Sequence, residues 1–302
     1  MKIVALFLAM MLERLATQLF HWRDLRWLDP LFDAGLRRST QLARVSPYAW
    51  LIIVLLLAVA PVVVARLLLE DALLGLPYLA LSGVVLFLCL GPQDIGEEVD
   101  RWSKALIDGD EQDERAYAHA LLERGFVDRV SARNEVPKAV FVQANNRIFS
   151  VIFWFIVLGP IGAWLFRVAD LARRRALFQA QRDNPESSVA PDCERRADDV
   201  HALLAYVPAR LSALGYILAG DFDAGRDAWR SAAEPATQTL GANNEQVLRR
   251  VGFAALNLSR DADEADTAWF VRAARGAKNL ALRTLLFWLV GVALLTLVGV
   301  AG

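Results

Sequence analysis

The chain has 302 residues, 56% of them hydrophobic and 22% charged, with a mean hydropathy of +0.33. That is too apolar for an ordinary globular domain and too charged for a bundle of spans alone, so it points to a membrane protein with a water-exposed part. A net charge of −1 excludes whole-molecule attraction to nucleic acid, and two cysteines in unlike surroundings exclude a disulfide framework.

Residues 3–20 form an apolar stretch interrupted by Glu13 and Arg14, with no small-residue cleavage pattern after it, so it reads as retained. A charge pair at that depth is costly unless it faces protein or water. Either this helix lies in the interface with the pair on its polar face, or the pair points into a polar cavity. Residues 20–47 carry Arg23, Arg26, Arg37, Arg38 and Arg44, the arginine excess of a cytoplasmic segment. Residues 48–65 are an uncharged span containing Pro61, and residues 72–91 return through the membrane before Gly91-Pro92. Residues 1–92 thus form an N-terminal block of membrane helices.

Acidic residues outnumber basic ones in residues 93–147, which read as a cytosolic helical loop. An amphipathic helix is predicted over 111–126, with Tyr117, Ala120, Leu121 and Leu122 as its apolar stripe and Gly125 closing it. Another helix is predicted to start near Glu135-Val136-Pro137, since proline suits a first helical turn.

Residues 148–170 are the stretch around which the chain is organised. Between Arg147 and Arg167 no residue is charged, yet Gly159-Pro160-Ile161-Gly162 falls near the middle. Proline lacks the amide hydrogen a helix interior needs, and glycine weakens the adjoining turns. The segment is therefore a kinked span or two half-helices that dip in and return. A full crossing would place Arg173, Arg174, Arg175, Arg182, Arg195 and Arg196 outside, against the positive-inside tendency, which favours the re-entrant form.

Residues 171–280 read as a cytosolic helical region, including an amphipathic element over 198–220 broken by Pro208 that packs at membrane depth or lies on the surface. Asp221, Asn243 or Asn244, and Asp261 or Asp263 are the predicted helix caps. Residues 281–302 supply a C-terminal transmembrane helix. The small residues Ala202, Ala205, Ala209, Ser212 and Gly215 suit close helix packing, within one chain or in a homo-oligomer. The expected fold is an all-α polytopic membrane protein with about four to five membrane elements, two of them broken or re-entrant by proline, joined by cytosolic helical segments.

No phosphate-loop, nucleophile-elbow or zinc-protease motif occurs, and His21, His119 and His201 lack ligand spacing, so no metal or cofactor and no catalytic residue is predicted. The candidate site is instead a binding site. Arg147, Arg167 and Arg210 flank or follow the broken elements and are expected to converge on a carboxylate- or phosphate-bearing ligand. Asn145, Asn146 and Asp170 would orient it, with Glu13 neutralising Arg14 or a neighbouring arginine.

Several blocks carry a resemblance: residues 11–15 (MLERL), 144–155 (ANNRIFSVIFWF), 158–163 (LGPIGA) with Phe166-Arg167, 206–211 (YVPARL), and 220–224 (GDFDA) with Ala228-Trp229. In order and spacing they resemble the AmpE family, across nearly the whole chain. That family is similar to a wider group containing the CobD/CbiB cobalamin-pathway synthases, which form an amide bond at the expense of ATP. The resemblance implies a multi-pass protein of the bacterial inner (cytoplasmic) membrane, a signalling accessory linked to β-lactamase regulation and antibiotic response. It also implies a functional link to AmpD, the cytosolic amidase of cell-wall recycling, and an anionic muropeptide-like ligand. The alternative is an ATP- and magnesium-dependent amide-forming or transferase enzyme like the synthases. Against it, Gln143-Ala144-Asn145-Asn146-Arg147 stands where the synthases place an acidic residue, and Ala202 and Ala205 replace polar residues before the PAR block.

Overall fold

The computed structural model describes residues 25–39, 46, 48–69, 76–90, 94–123, 128–182, 189–232 and 239–297. In chain order the helices are α1 (Asp29–Arg37), α2 (Ala49–Leu69), α3 (Leu76–Cys89), α4 (Ile95–Asp108), α5 (Glu111–Leu122), α6 (Arg129–Ala144), α7 (Ser150–Leu158), α8 (Pro160–Arg182), α9 (Val189–Ala219), α10 (Phe222–Ala232), α11 (Leu240–Ala255) and α12 (Asp266–Leu297). A π-helical turn, Asn145–Phe149, joins α6 to α7. Among the described residues there is no strand. The protein is an all-α polytopic membrane protein: among the described residues four helical runs, Ala49–Leu69, Arg129–Leu158, Asp192–Ala219 and Asp266–Leu294, are long and apolar enough to cross a bilayer.

The helices gather into two compact units, one drawing on Met1–Pro92, Ser150–Leu204 and Leu295–Gly302, the other on Gln93–Phe149 and Ala205–Leu294. In the first unit, α8 packs against α2, α3 and α7. Trp50, Leu51 and Val54 of α2 face inward, while Ile52, Ile53, Leu56, Leu57, Leu67 and Leu68 face out. Only 22% of the apolar window of α2 is buried, against 72% for Arg129–Leu158. The first is dressed for lipid; the second spends its apolar surface on protein contacts, and its length starts well upstream of the apolar stretch marked in the sequence.

The break at Gly159 has a simple local cause. Gly159 adopts φ +67°, a left-handed conformation that L side chains rarely take, and Pro160 then starts α8. A Cβ on Gly162 would lie 2.4 Å from the Trp154 carbonyl oxygen and 2.6 Å from Leu158 Cβ. The first turn of α8 therefore folds back onto α7, and only glycine permits the approach. The segment is thus broken at Gly159, as the sequence leads one to expect.

Pro208 behaves otherwise. It was expected to break its element, but α9 runs through it without interruption. A proline at 208 leaves the Leu204 carbonyl without its intrahelical donor. The Trp154 indole supplies that donor, at 3.0 Å. Trp164, on the other arm of the hairpin, donates to the Ala58 carbonyl at 2.9 Å, within the turn before Pro61 of α2. The two indoles thus satisfy carbonyls beside helix-internal prolines, which is how a kinked helix is tolerated in apolar surroundings.

Other boundaries also differ from expectation. Helix α6 starts at Arg129, not near Pro137, because the Asp128 side chain caps it by accepting from Ser131 N at 2.8 Å. Arg129 and Arg133 in its first turns then grip Glu114 of α5. Their guanidiniums outweigh burial, which alone would raise the Glu114 carboxyl, and hold it below its ordinary range. Helix α5 ends at Glu123, with φ +58°, while Gly125 lies outside the described residues. Thr239 caps α11, so Asn243 and Asn244 lie inside that helix; α12 starts at Asp266, beyond Asp261 and Asp263. Asp221 does cap α10, accepting from Ala224 N at 2.9 Å.

The second unit is built on Trp102, Val136, Val140, Phe141, Tyr216 and Val251. Tyr216 stacks edge-on against Phe141 at 4.8 Å and donates its hydroxyl to the Phe141 carbonyl at 3.0 Å. The small-residue stripe of α9 is used within the chain: Ala205, Ala209 and Ser212 are buried, and a Cβ on Gly215 would meet Thr284 of α12 at 2.5 Å.

The Trp154 bond makes a double-mutant prediction. Trp154→Phe strands the Leu204 carbonyl and lowers unfolding stability in detergent by about 1–3 kcal/mol. In a Pro208→Ala background, residue 208 supplies its own N–H and most of that cost vanishes. An equal cost in both backgrounds would contradict the assignment.

Candidate functional site

The predicted site residues divide between the two units. Glu13 and Arg14 lie outside the described residues. In the second unit, Asn145, Asn146 and Arg147 form the π-helical turn and are all buried. Such turns project neighbouring side chains in directions an α-helix does not offer. Asn145 donates to Asn146 Oδ1 at 3.1 Å and accepts from Ser212 Oγ of α9 at 3.0 Å.

Arg147 is engaged on every side. Its Nη1 lies 2.9 Å from both carboxylate oxygens of Glu98, its Nε donates to Gln143 Oε1 at 2.9 Å, and its Nη2 reaches the Ala120 carbonyl at 3.4 Å. Gln143 is itself fixed by donating to the Leu121 carbonyl at 2.9 Å. Charge and direction are therefore both satisfied within the unit, and Arg147 joins three helices. The sequence holds no acidic residue near Arg147, and its carboxylate comes from Glu98 of α4, far off in the chain. The signal was in the periodicity: Glu98 falls in the same helical stripe as Ile95, Val99, Trp102 and Leu106. A carboxylate in an apolar stripe asks for a buried cation.

Arg167 and Asp170 lie together in the first unit. The Asp170 carboxylate is fully buried and accepts from Arg167 Nη1 at 3.1 Å, Arg173 Nη2 at 3.2 Å and Arg174 Nε at 2.9 Å. The spacings of three and four residues put all four side chains on one face of α8. His201 of α9 stands with its Nε2 3.6 Å from the same carboxylate and its ring against Phe166. Three guanidiniums and an imidazole thus lie around the Asp170 carboxylate, and the Arg174 side chain is 27% exposed. Arg173, Arg174 and His201 were not among the predicted site residues. The arginines read as topology markers, and the histidine had no ligand spacing to distinguish it.

Arg210 has a third environment. It lies over the Tyr206 ring at 3.9 Å and donates to Asn244 Oδ1, to Asn243 Oδ1 at 3.3 Å and to the Tyr206 carbonyl at 3.4 Å. The three arginines therefore have three separate partner sets: Glu98 for Arg147, Asp170 for Arg167, and carboxamides for Arg210.

The family model described as "Regulatory signalling modulator protein AmpE" matches residues 1–301. The chain belongs to the AmpE family. This AmpE-family chain is also similar to the "Cobalamin biosynthesis protein CobD" of Chromobacterium violaceum, 29% identical over 240 residues, which are 76% of this chain and 73% of that protein. A protein of the same description from Stutzerimonas stutzeri is 30% identical over 179 residues, 59% of this chain and 56% of the relative, so little more than half of its length is matched. No solved structure matches. Among the described residues of this AmpE-family protein, no three His, Cys, Asp or Glu side chains are grouped to hold a metal ion.

Removing one partner of a buried ion pair leaves the other uncompensated. Glu98→Gln is therefore expected to cost about 3–5 kcal/mol of unfolding stability. The apolar double replacement Glu98→Leu with Arg147→Met should recover most of it. A Glu98→Gln protein as stable as wild type in denaturant titration would contradict this role.

Proposed function

We propose that this chain is an inner-membrane accessory or sensor protein, linked to β-lactamase regulation and cell-wall muropeptide recycling, that binds an anionic ligand without transforming it. Membership of the AmpE family supports the regulatory role, and with it a functional link to the amidase AmpD. One observation carries the binding role: the fully buried Asp170 is shared by Arg167, Arg173 and Arg174, with His201 beside it.

Guanidinium groups gathered at one place suit a carboxylate or phosphate as ligand. Nucleotide-dependent ligation of the kind implied by the likeness to CobD needs carboxylates that are free to hold Mg²⁺ against phosphates. Here Asp170 is held by arginines, and Asp199 accepts a hydrogen bond from Tyr48 at 3.2 Å. These residues do not fit a magnesium–nucleotide site, which favours binding over synthesis. Guanidinium groups suit the ligand class because their paired N–H groups match a carboxylate or phosphate edge.

Calorimetry on the purified full chain in detergent tests this, with an anhydromuropeptide bearing free carboxylates as probe. Wild type is expected to bind it. Arg174→Gln, at the exposed edge of the cluster, should weaken binding about tenfold, the worth of one charge-assisted contact. The exposed Arg226→Gln should match wild type. Absence of binding by wild type, or equal binding by Arg174→Gln, overturns the reading.

A further inference from the structure

Every other well-buried arginine described above meets a carboxylate; Arg210 does not. Its partners are the Tyr206 ring and carbonyl and the carboxamide oxygens of Asn243 and Asn244, all neutral. No acidic side chain among the described residues pairs with it. The guanidinium is half-buried, in the last third of α9 and in the run Asp192–Ala219 that is apolar enough to cross a membrane.

Its neighbours on that helix define the surroundings. Val207, Leu211, Leu214 and Leu218 are between 38% and 66% exposed. At spacings of −3, +1, +4 and +8 from Arg210 they form an outward apolar stripe with Arg210 along its edge. A surface of this kind faces lipid, not water. A positive charge without a counter-charge beside such a stripe is costly, and snorkelling toward the headgroup layer or pairing with an anion relieves it. The carboxamides hold the guanidinium in place through their oxygens, and the Nδ2 of Asn243 remains as a further donor. One strong cation, a neutral donor and flanking apolar side chains together match a phosphate with acyl chains beneath it.

We infer that Arg210, positioned by Asn243, Asn244 and Tyr206, binds the phosphate of an anionic membrane lipid. This inference does not rest on the Asp170 cluster, and neither proposal requires the other.

Native mass spectrometry of the delipidated full chain, titrated with phosphatidylglycerol and with phosphatidylcholine, tests the inference. Wild type should retain phosphatidylglycerol in preference. Arg210→Gln should bind it about tenfold more weakly, as expected for loss of a charge-assisted contact, while the exposed Arg226→Gln should bind as wild type does. Asn243→Asp supplies the missing carboxylate from within: lipid binding should fall while the melting temperature holds or rises, which decides the matter even if Arg210→Gln folds poorly. Unchanged retention in both Arg210→Gln and Asn243→Asp overturns the inference. So does displacement of the lipid by millimolar inorganic phosphate that binds equally well, since the anion would then come from water.

Discussion

A polar group at apolar depth must find its counterpart within the protein, because the surrounding medium offers none. That constraint accounts for much of what is distinctive here. It draws Glu98 onto Arg147, sets three arginines around Asp170, and sends the indoles of Trp154 and Trp164 to carbonyls beside Pro208 and Pro61. The hairpin at Gly159 belongs to the same set. It turns the chain at an apolar place, where Gly159 takes the left-handed conformation and Gly162 lets the two arms touch. From those arms come both indoles, so the break and the tolerated prolines are parts of one arrangement.

Much of the fold was legible in the sequence because local chemistry determines it. Uncharged runs marked α2 and α3, and Gly159-Pro160 marked the break, where a glycine free to turn left-handed precedes a proline that starts the next helix. Asp221 was readable as a cap for the same reason. Pro208 misled because its fate is decided by Trp154, far away in sequence. Pro137 misled because the cap at Asp128 had already started the helix. In the candidate site, the importance of Arg147, Arg167 and Arg210 was visible from their positions beside apolar blocks, but their partners were not. Glu98 lies in a stretch that reads as solvated by charge count, and only its place in an apolar stripe hints otherwise. Arg173 and Arg174 look like topology signals, and one of their functions, holding Asp170, depends on side-chain depth that one-dimensional pattern does not give.

Family membership and geometry contribute differently to the functional reading. The family brings a regulatory role; the likeness to CobD brings an enzymatic comparison. The local chemistry bears on the choice between binding and catalysis. A magnesium site presents carboxylates to an open space, whereas Asp170 here is held by arginines and Asp199 accepts from Tyr48. The same principle separates the arginines from one another. Arg147 is paired with Glu98, Arg167 shares Asp170 with Arg173 and Arg174, and Arg210 is held by neutral partners.

The α8 cluster is held together by a negative charge at the position of Asp170. Removing that charge and returning it from solution probes this. Asp170→Ala leaves a space of carboxylate size among the three guanidiniums, and Asp170→Asn fills the space without charge. Thermal unfolding of the full chain with increasing formate should recover much of the lost stability of Asp170→Ala and little of that of Asp170→Asn. An Asp170→Ala protein that responds to formate no more than wild type does would contradict the account.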